Sequence, residues 1–440
     1  MEALHPLPTS LSEAFALLRT DVAGAVLTPD DARYPELQPA AGPGRARPAA
    51  IVVAAGPADV VEALRTARAN HLPVAVRSTG HRAGAPADGA LLVDVSALDR
   101  VAVDAEACTV AVGAGATWAD VVANSLRHAL APVPGEWAHR AAVSDTLAGG
   151  MGWLARRHGL ACDNVARYEL VTPDGLLVDV TPDSHPELFW ALSGAGDGSL
   201  GVVTAIEYEL HAVRPAYAGS LSYPAALAEA VCDRWRAWTT NARAELTSSL
   251  VVTPETVAVH GCWVGAPDTG RGLVDEWRAW HAPSSDDWQR RAPGDLDAVN
   301  PPLLAPGAPA TAAMTNAWAN NLRDELIDEL LGLVVDGTAG VVEIRLGGGA
   351  ARTRSGAAAN GHARRDQYLM TLAGLRDTPA GARDRLAPWT TGAAYLDRTD
   401  PAERTARLTD AFAPGDLARL AAVKAALDPT TRFRHGLPLS

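Results

Sequence analysis

The sequence predicts an α+β fold in two domains, and three observations lead there. Short apolar runs alternate with segments of helical period up to about residue 212. After Pro215 the pattern changes to longer alternating runs with helical segments between them, the mark of an antiparallel sheet covered by helices. The chain has 440 residues, more than a single hydrophobic core usually serves.

Taken in order, Leu11, Phe15 and Leu18 form one apolar face and predict a short helix within residues 1–19. Pro39, Gly42, Pro43, Gly44 and Pro48 predict a loop over 38–49. Ala50–Val53 reads as a strand. Pro57–Asn70 follows as a helix, started by Pro57, with Val60, Val61, Leu64 and Ala67 inward. Pro73–Arg77 is the next strand, closed by Ser78, Thr79 and Gly80, and Leu91–Asp94 and Thr109–Val112 are two more. Thr117 caps a helix to His128 that turns Trp118, Val121, Val122 and Leu126 inward. Pro173–Asp174–Gly175 is a strong turn between Glu169–Thr172 and Leu177–Asp179, so these pair as a hairpin. Val202–Leu210 closes this half as an alternating strand.

In the second half Leu246–Thr253 and Thr256–Val264 predict two long strands joined at Pro254–Glu255. Helices are expected near 266–281 and 321–334, and strands at Val341–Leu346 and Gln367–Leu375. One last helix is expected over Glu403–Leu427, stopped by Asp428–Pro429.

Composition narrows the function. The formal net charge is −13 with no basic stretch, which argues against nucleic acid as a partner. Lys424 is the only lysine, every other basic side chain being arginine; with the many alanines this reads as codon bias of a GC-rich bacterial genome. The four cysteines, Cys108, Cys162, Cys232 and Cys262, lie far apart with no CxxC pair, so neither a zinc knuckle nor a disulfide framework is indicated and no metal is expected. No segment reads as a signal peptide, and no apolar run approaches the roughly 18 residues that span a bilayer. A cytoplasmic location without a membrane partner is the expectation.

Two motifs carry chemistry. Arg77–Ser78–Thr79–Gly80–His81 is a tight turn at a strand end, offering small side chains and backbone N–H groups of the kind a diphosphate needs. Read alone, it is equally a polar turn of any α/β protein. Some seventy residues later Gly149, Gly150 and Gly152 precede Trp153–Leu154, with Gly159–Leu160 and Asp163–Asn164 beyond. Glycines without Cβ let backbone lie against a large flat ligand. A third stretch, Phe189–Trp190–Ala191–Leu192–Ser193–Gly194–Ala195–Gly196, runs on to Gly201–Val202–Val203–Thr204.

This ordered set resembles the berberine-bridge-enzyme-like oxidoreductases of the PCMH-type, or vanillyl-alcohol-oxidase, FAD superfamily. Thr79 stands where the family has glycine, Ser193 where it has arginine, and Ser199–Leu200 where it has Asn–Phe. The C-terminal region extends the likeness through Gly347–Ala350, Gly361–Tyr368, Tyr395–Asp397 and Asp428–Arg434, with Thr431 in place of the usual asparagine.

The resemblance implies a two-domain PCMH-type FAD-binding fold. An FAD-binding domain would span 20–212 and a substrate domain 213–392, with 393–440 returning to the first. It implies FAD as cofactor, held covalently at His81 and cradled by Arg77, Ser78, Thr79, Gly80, Ser144, Thr146, Gly149, Gly150, Gly152, Val202 and Val203. Relatives with a second bond carry a cysteine that would fall near Trp137; none lies there, so a single histidyl link is expected. The family's catalytic base comes from the substrate domain or C-terminal segment, which makes Tyr395 and Tyr368 the candidates. Trp137, His139, His260 and His362 are candidates for the pocket wall. The implied activity is two-electron oxidation of a small organic molecule, with O2 as electron acceptor. In a GC-rich bacterium this would be tailoring of a secondary metabolite by alcohol oxidation, dehydrogenation or oxidative cyclisation. A carbohydrate oxidase and a non-redox cyclase using the fold as a shaped cavity remain open, as do oxidase against dehydrogenase and the oligomeric state.

Overall fold

The structure, a computed structural model, describes residues 10–41, 44–79, 87–300, 313–354, 358–376 and 378–439, with the backbone alone at 40, 41, 362, 363, 401 and 402. Three sheets organise it. The first is β1 (Ala25–Leu27), β2 (Ala50–Val53), β3 (Val74–Arg77) and β4 (Leu91–Asp94), in the order β1–β2–β4–β3. Strands β2, β4 and β3 run parallel, and β1 pairs antiparallel at the edge. The helix Pro57–Ala69 makes the crossover that parallel strands require. Its face of Val60, Ala63, Leu64 and Ala67 is fully buried. Burial of Leu64 alone is worth about 2 kcal/mol.

The second sheet is antiparallel: β5 (Val101–Asp104), β6 (Thr109–Gly113), β7 (Val165–Val171), β8 (Leu177–Val180) and β9 (Val202–Glu209), ordered β8–β7–β9–β6–β5. The predicted hairpin is present as β7 and β8. Thr117 caps the helix Trp118–Leu126 through a reciprocal box with Asp120. Both sheets share one core, which also takes in Phe412, Leu420 and Phe433 from the C-terminal end.

The third sheet has eight strands. Its body is β10 (Ala216–Pro224), β11 (Leu246–Val252), β12 (Thr256–Trp263), β13 (Met314–Ala319), β14 (Val341–Leu346) and β15 (Tyr368–Ala373), ordered β10–β12–β11–β14–β15–β13 with every pairing antiparallel. Helices Ala228–Thr239, Pro267–Trp280 and Asp324–Val335 cover one face and bury Trp235, Trp277, Leu326 and Leu330 against it. The two-domain α+β reading holds.

Four local expectations are corrected. The 38–49 loop contains a two-residue ribbon, Ala40–Ala41 with Gly44–Arg45. Strands β1, β5, β10 and β13 were not anticipated from the pattern. The closing helix is three, Pro401–Ala406, Leu408–Ala411 and Pro414–Leu427; the last starts anew at Pro414, because a proline ring cannot continue a helix but fits its first turn. The first predicted helix runs Leu11–Asp21 with Leu11 exposed.

The C-terminal part works on both domains. Asn316 on β13 donates to the carbonyls of Tyr395 and Arg398 and accepts from the Tyr395 N–H, so this stretch first docks on the third sheet. Further on the tail returns to the first core: Val74 N–H bonds the Arg432 carbonyl, and Arg432 reaches the Pro173 carbonyl. Lys424 Nζ donates to the carbonyls of Ser199 at 2.7 Å and Phe433 at 3.0 Å and to Asp428 at 2.7 Å.

Candidate flavin site at the domain junction

Antiparallel pairing decides which side chains share a face. On the third sheet Ser220, His260, Ser249, Arg345, Leu369 and Trp318 form one cross-strand row. Glu343, Thr371 and Asn316 lie two residues along on the same face, which is turned away from the helices. Polar residues in the middle of a sheet would ordinarily face water. Here Ser249, Glu343, Arg345, Thr371 and Asn316 are buried, because the first domain, through Glu136, and the C-terminal segment, through Tyr395 and Arg398, close over this face.

Glu136 makes the closest junction. Its Oε1 accepts from Arg345 at 2.7 Å and from Arg398 at 2.6 Å, while Arg398 also bonds Glu343. Two acids and two arginines, from the first domain, the sheet and the C-terminal segment, thus form one buried neutral set. Burial alone would raise the Glu136 carboxyl pKa, but Arg398 and Arg345 outweigh it and hold it below the usual range. Beside it a single nitrogen of Arg140 contacts Asp145 at 3.0 Å and Asp397 at 2.7 Å. Asp145 also accepts from the Trp118 indole at 2.9 Å. Arg364 forks onto Asp163 at 2.6 and 3.0 Å, fixing the Asp163–Asn164 turn. Among the described residues Arg156 has no carboxylate partner; it donates to the carbonyls of Leu246, Gly347, Ala242 and Arg243, and burial brings its pKa down to about 10.

The glycine stretches converge here. Gly149 and Gly150 have φ of +117° and +72°, and Gly194 has +92°, a backbone that L side chains avoid. Cys162 N–H and Ala161 N–H bond the Gly149 and Gly150 carbonyls, and Gly196 N–H bonds the Leu147 carbonyl, so the two loops are tied together. Around them buried polar atoms stand without hydrogen-bond partners among the described residues: Tyr395 Oη, both amide atoms of Asn360, Ser249 Oγ, Glu343 Oε1 and one Arg345 nitrogen. Native proteins rarely leave such groups unpaired. A Cβ on Gly149 would stand 2.5 Å from the Asn360 amide nitrogen and 2.9 Å from the Tyr395 hydroxyl. Cβ-free backbone beside donors and acceptors without partners is the setting a flat, polar-edged cofactor needs, and these residues fit FAD.

The sequence-derived site residues divide. His81 and Gly80 lie outside the described residues, as does the side chain of His362. Ser78 and Thr79 follow β3, with Ser78 Oγ donating to the Ala114 carbonyl and Thr79 exposed. Arg77 is committed to Asp94 at 2.5 Å and the Leu37 carbonyl, so it props the turn. Gly149, Gly150 and Gly152 are at the junction. Ser144 hydroxyl bonds the Ala141 carbonyl; that of Thr146 is held between the Ala142 carbonyl and the Tyr208 hydroxyl, leaving only backbone at both for a cofactor. Val202 and Val203 are buried in β9 opposite Val171 and Leu170. Ser193, in the arginine position, is sealed beside Tyr168 and the Phe189 carbonyl.

Tyr395 is at the junction, but burial, with Asp397 and Asp145 nearby, raises its pKa well above 10. It therefore stands as a neutral hydrogen-bond donor, not as a ready base. Tyr368 is not brought to the junction: it faces the helices, with its ring 5.8 Å from Trp235 and its hydroxyl near Thr239. His260 lies in the polar row with Nδ1 on the Val299 carbonyl, and burial lowers its pKa. Trp137 is half-buried beside exposed His139, at 6.0 Å between rings, so Glu136, their neighbour, is the residue that enters. Sequence reasoning missed Glu136, Asn360, Glu343, Arg345 and Arg398; the only available signal was acidic and basic residues alternating inside an apolar strand, as in Val341–Leu346.

Comparison with known proteins bears on the class. An FAD binding domain matches residues 48–181. The chain thus carries an FAD-binding domain within the two-domain PCMH-type fold of the berberine-bridge-like FAD-linked oxidoreductases. In particular, 6-hydroxy-D-nicotine oxidase from Arthrobacter nicotinovorans superposes with a TM-score of 0.82 at 24% identity, covering 95% of this chain and 98% of that one. BBE-like 1 of Physcomitrella patens gives 0.83 at 21% identity, covering 98% of each chain. In sequence, the chain is 32% identical over 212 residues to (R)-6-hydroxynicotine oxidase of Paenarthrobacter nicotinovorans, 47% of this chain and 46% of that protein. It is 30% identical over 227 residues to an FAD-linked oxidoreductase of Dictyostelium discoideum, 51% of this chain and 50% of that protein. The chain spans about half the length of the curated relatives it matches.

Among the described residues no group of three or more metal-ligating side chains occurs, and no helix is long and apolar enough to cross a membrane.

Proposed function

We propose that this protein is an FAD-dependent oxidase that removes two electrons from a small organic substrate and passes them to O2, with the cofactor held by one covalent bond at His81. The carrying observation is the set of buried, unpartnered polar atoms of Tyr395, Asn360, Ser249, Glu343 and Arg345. They sit where the Gly149–Gly152 and Gly194–Gly196 backbone meets the polar face of the third sheet. Support also comes from the relative that is a 6-hydroxynicotine oxidase and from the place of His81 in the sequence, directly after Ser78–Thr79–Gly80.

FAD would supply the two-electron acceptor. The chain's own residues do the rest. The Gly149 and Gly150 backbone would offer the cofactor a surface without side chains. The third sheet and the Tyr395–Arg398 stretch, whose Tyr395 hydroxyl meets Gly149, would wall the site and exclude water. The Glu136, Glu343, Arg345 and Arg398 set is charge-balanced, so it orients a substrate by hydrogen bonds without imposing a net charge. Tyr395 donates a proton-bearing hydroxyl into the site. Substrate tailoring by alcohol oxidation, dehydrogenation or oxidative cyclisation is the corresponding role.

The test is the intact mass of denatured protein beside a His81→Ala variant, with anaerobic bleaching of the flavin band and peroxide formation as activity readouts. An increment of one FAD, absent from the variant, is expected. Unshifted mass with free flavin in the supernatant would remove the covalent bond from the reading. Folded protein without flavin in either fraction would overturn it.

A further inference from the structure

Asn360 is the least explained side chain of the junction. It lies in the 3-10 segment Ala359–Arg364 and is 5% exposed. Both its Nδ2 and its Oδ1 lack partners among the described residues. Two separate glycines make room for it. A Cβ on Gly194 would fall 2.3 Å from the amide carbon and 2.6 Å from each amide heteroatom, and one on Gly149 would fall 2.5 Å from Nδ2. Any other residue at either glycine would therefore displace this amide, besides being strained at positive φ.

A primary amide presents one donor and one acceptor side by side in a plane. Its complement is a planar edge carrying an acceptor next to a donor. FAD, on the reading above, has such an edge on the pyrimidine ring of the isoalloxazine, where an N–H lies between two carbonyls. The adenine amino group beside a ring nitrogen is the other candidate. The neighbours decide between them. The Tyr395 hydroxyl, also unpartnered, shares the space over Gly149 with Asn360, and Tyr395 is bonded through its backbone to Asn316 on the third sheet. Asn360 thus sits where the substrate-side wall meets the glycines, not at the Ser78–Thr79 turn.

We propose that Asn360 reads the pyrimidine edge of the isoalloxazine, Nδ2 donating to a ring carbonyl and Oδ1 accepting the ring N–H. This inference rests on the FAD reading of the site. A donor at a ring carbonyl favours the reduced, electron-rich ring, so Asn360 also tunes the flavin's readiness to accept electrons. In Asn360→Asp the donor becomes an acceptor bearing negative charge. In Asn360→Leu both polar atoms are lost at similar volume.

The experiment measures flavin content, the flavin reduction potential and thermal stability of the flavin-free form for the wild type and both variants. The aspartate variant is expected to bind reduced flavin at least tenfold less well relative to oxidised flavin, about 30 mV lower for a two-electron couple. The leucine variant is expected to hold less flavin while its flavin-free form is no less stable than wild type. Loss of flavin with an unchanged potential would place the amide at the adenine and overturn the proposal. Loss of stability in both flavin-free variants with unchanged potential would make Asn360 structural and overturn it too. A wild type that takes up no FAD would overturn the cofactor reading together with this one.

Discussion

Replacing Tyr395 by phenylalanine separates a residue kept for a ligand from one kept for the fold. Tyr395 is 2% exposed, and its ring packs among Met151, Leu160, Cys162, Trp318 and Leu369. Phenylalanine keeps all of that packing. The hydroxyl has no partner among the described residues. A buried hydroxyl in that state costs about 1–3 kcal/mol, so its removal is expected to stabilise flavin-free protein by about 1 kcal/mol. For domains of this size that raises the melting temperature by roughly 2–4 °C. With FAD present one hydrogen bond worth about 0.5–1.5 kcal/mol is lost, and together with the gain in the flavin-free form this weakens binding by about 1.5–2.5 kcal/mol, roughly tenfold to seventyfold in affinity. The assay is thermal unfolding of flavin-free protein with and without added FAD, in a His81→Ala background so that binding is reversible. A flavin-free Tyr395→Phe protein that is clearly less stable, with FAD affinity unchanged, would show that the hydroxyl serves the fold and refute the reasoning.

Two further outcomes follow from buried charge. Lys424→Met leaves Asp428 without its cation and the Ser199 and Phe433 carbonyls without a donor; breaking such a pair costs about 3–5 kcal/mol, toward the low end here because Asp428 keeps the Arg432 and Phe433 N–H bonds. Urea unfolding checks this, and a midpoint equal to wild type would contradict it. His158, its ring tilted against that of His211 at 4.2 Å, has its pKa lowered to about 4 chiefly by burial and then by the His211 and arginine charges. The unfolded chain, near pKa 6.5, binds more protons between these values, so stability is full above about pH 6.5 and falls as pH drops toward 4. The shift corresponds to about 3 kcal/mol before solvent screening, and partial exposure reduces it to about 1–2 kcal/mol. His158→Phe is expected to flatten the fall between pH 6.5 and 4.5 in denaturant titrations, and an unchanged slope would count against it.

What the sequence made legible follows from how far each signal reaches. The N-cap at Thr117, the helix from Pro57 and the β7–β8 hairpin turn are set by neighbours within four residues or so, and all three are where the pattern put them. The glycines at 149, 150 and 194 were legible for a related reason: a positive φ is a local demand, and glycine answers it. Strands β10 and β13 were not, because a sheet partner some 40 to 50 residues away decides whether an ambiguous apolar run pairs. The break at Pro414 was available and overlooked, since a proline inside a helical pattern marks a start. Glu136, Glu343, Arg345 and Arg398 show the deeper limit. Charges on strand residues read as a solvated face, and only the closing of one domain on the other converts that face into an interior. Lys424 shows the converse. As the only lysine it read as a remnant of composition, yet it is buried where an ammonium meets three oxygens. Arginine's planar fork fits that arrangement poorly, which explains why a chain that otherwise uses only arginine keeps one lysine there.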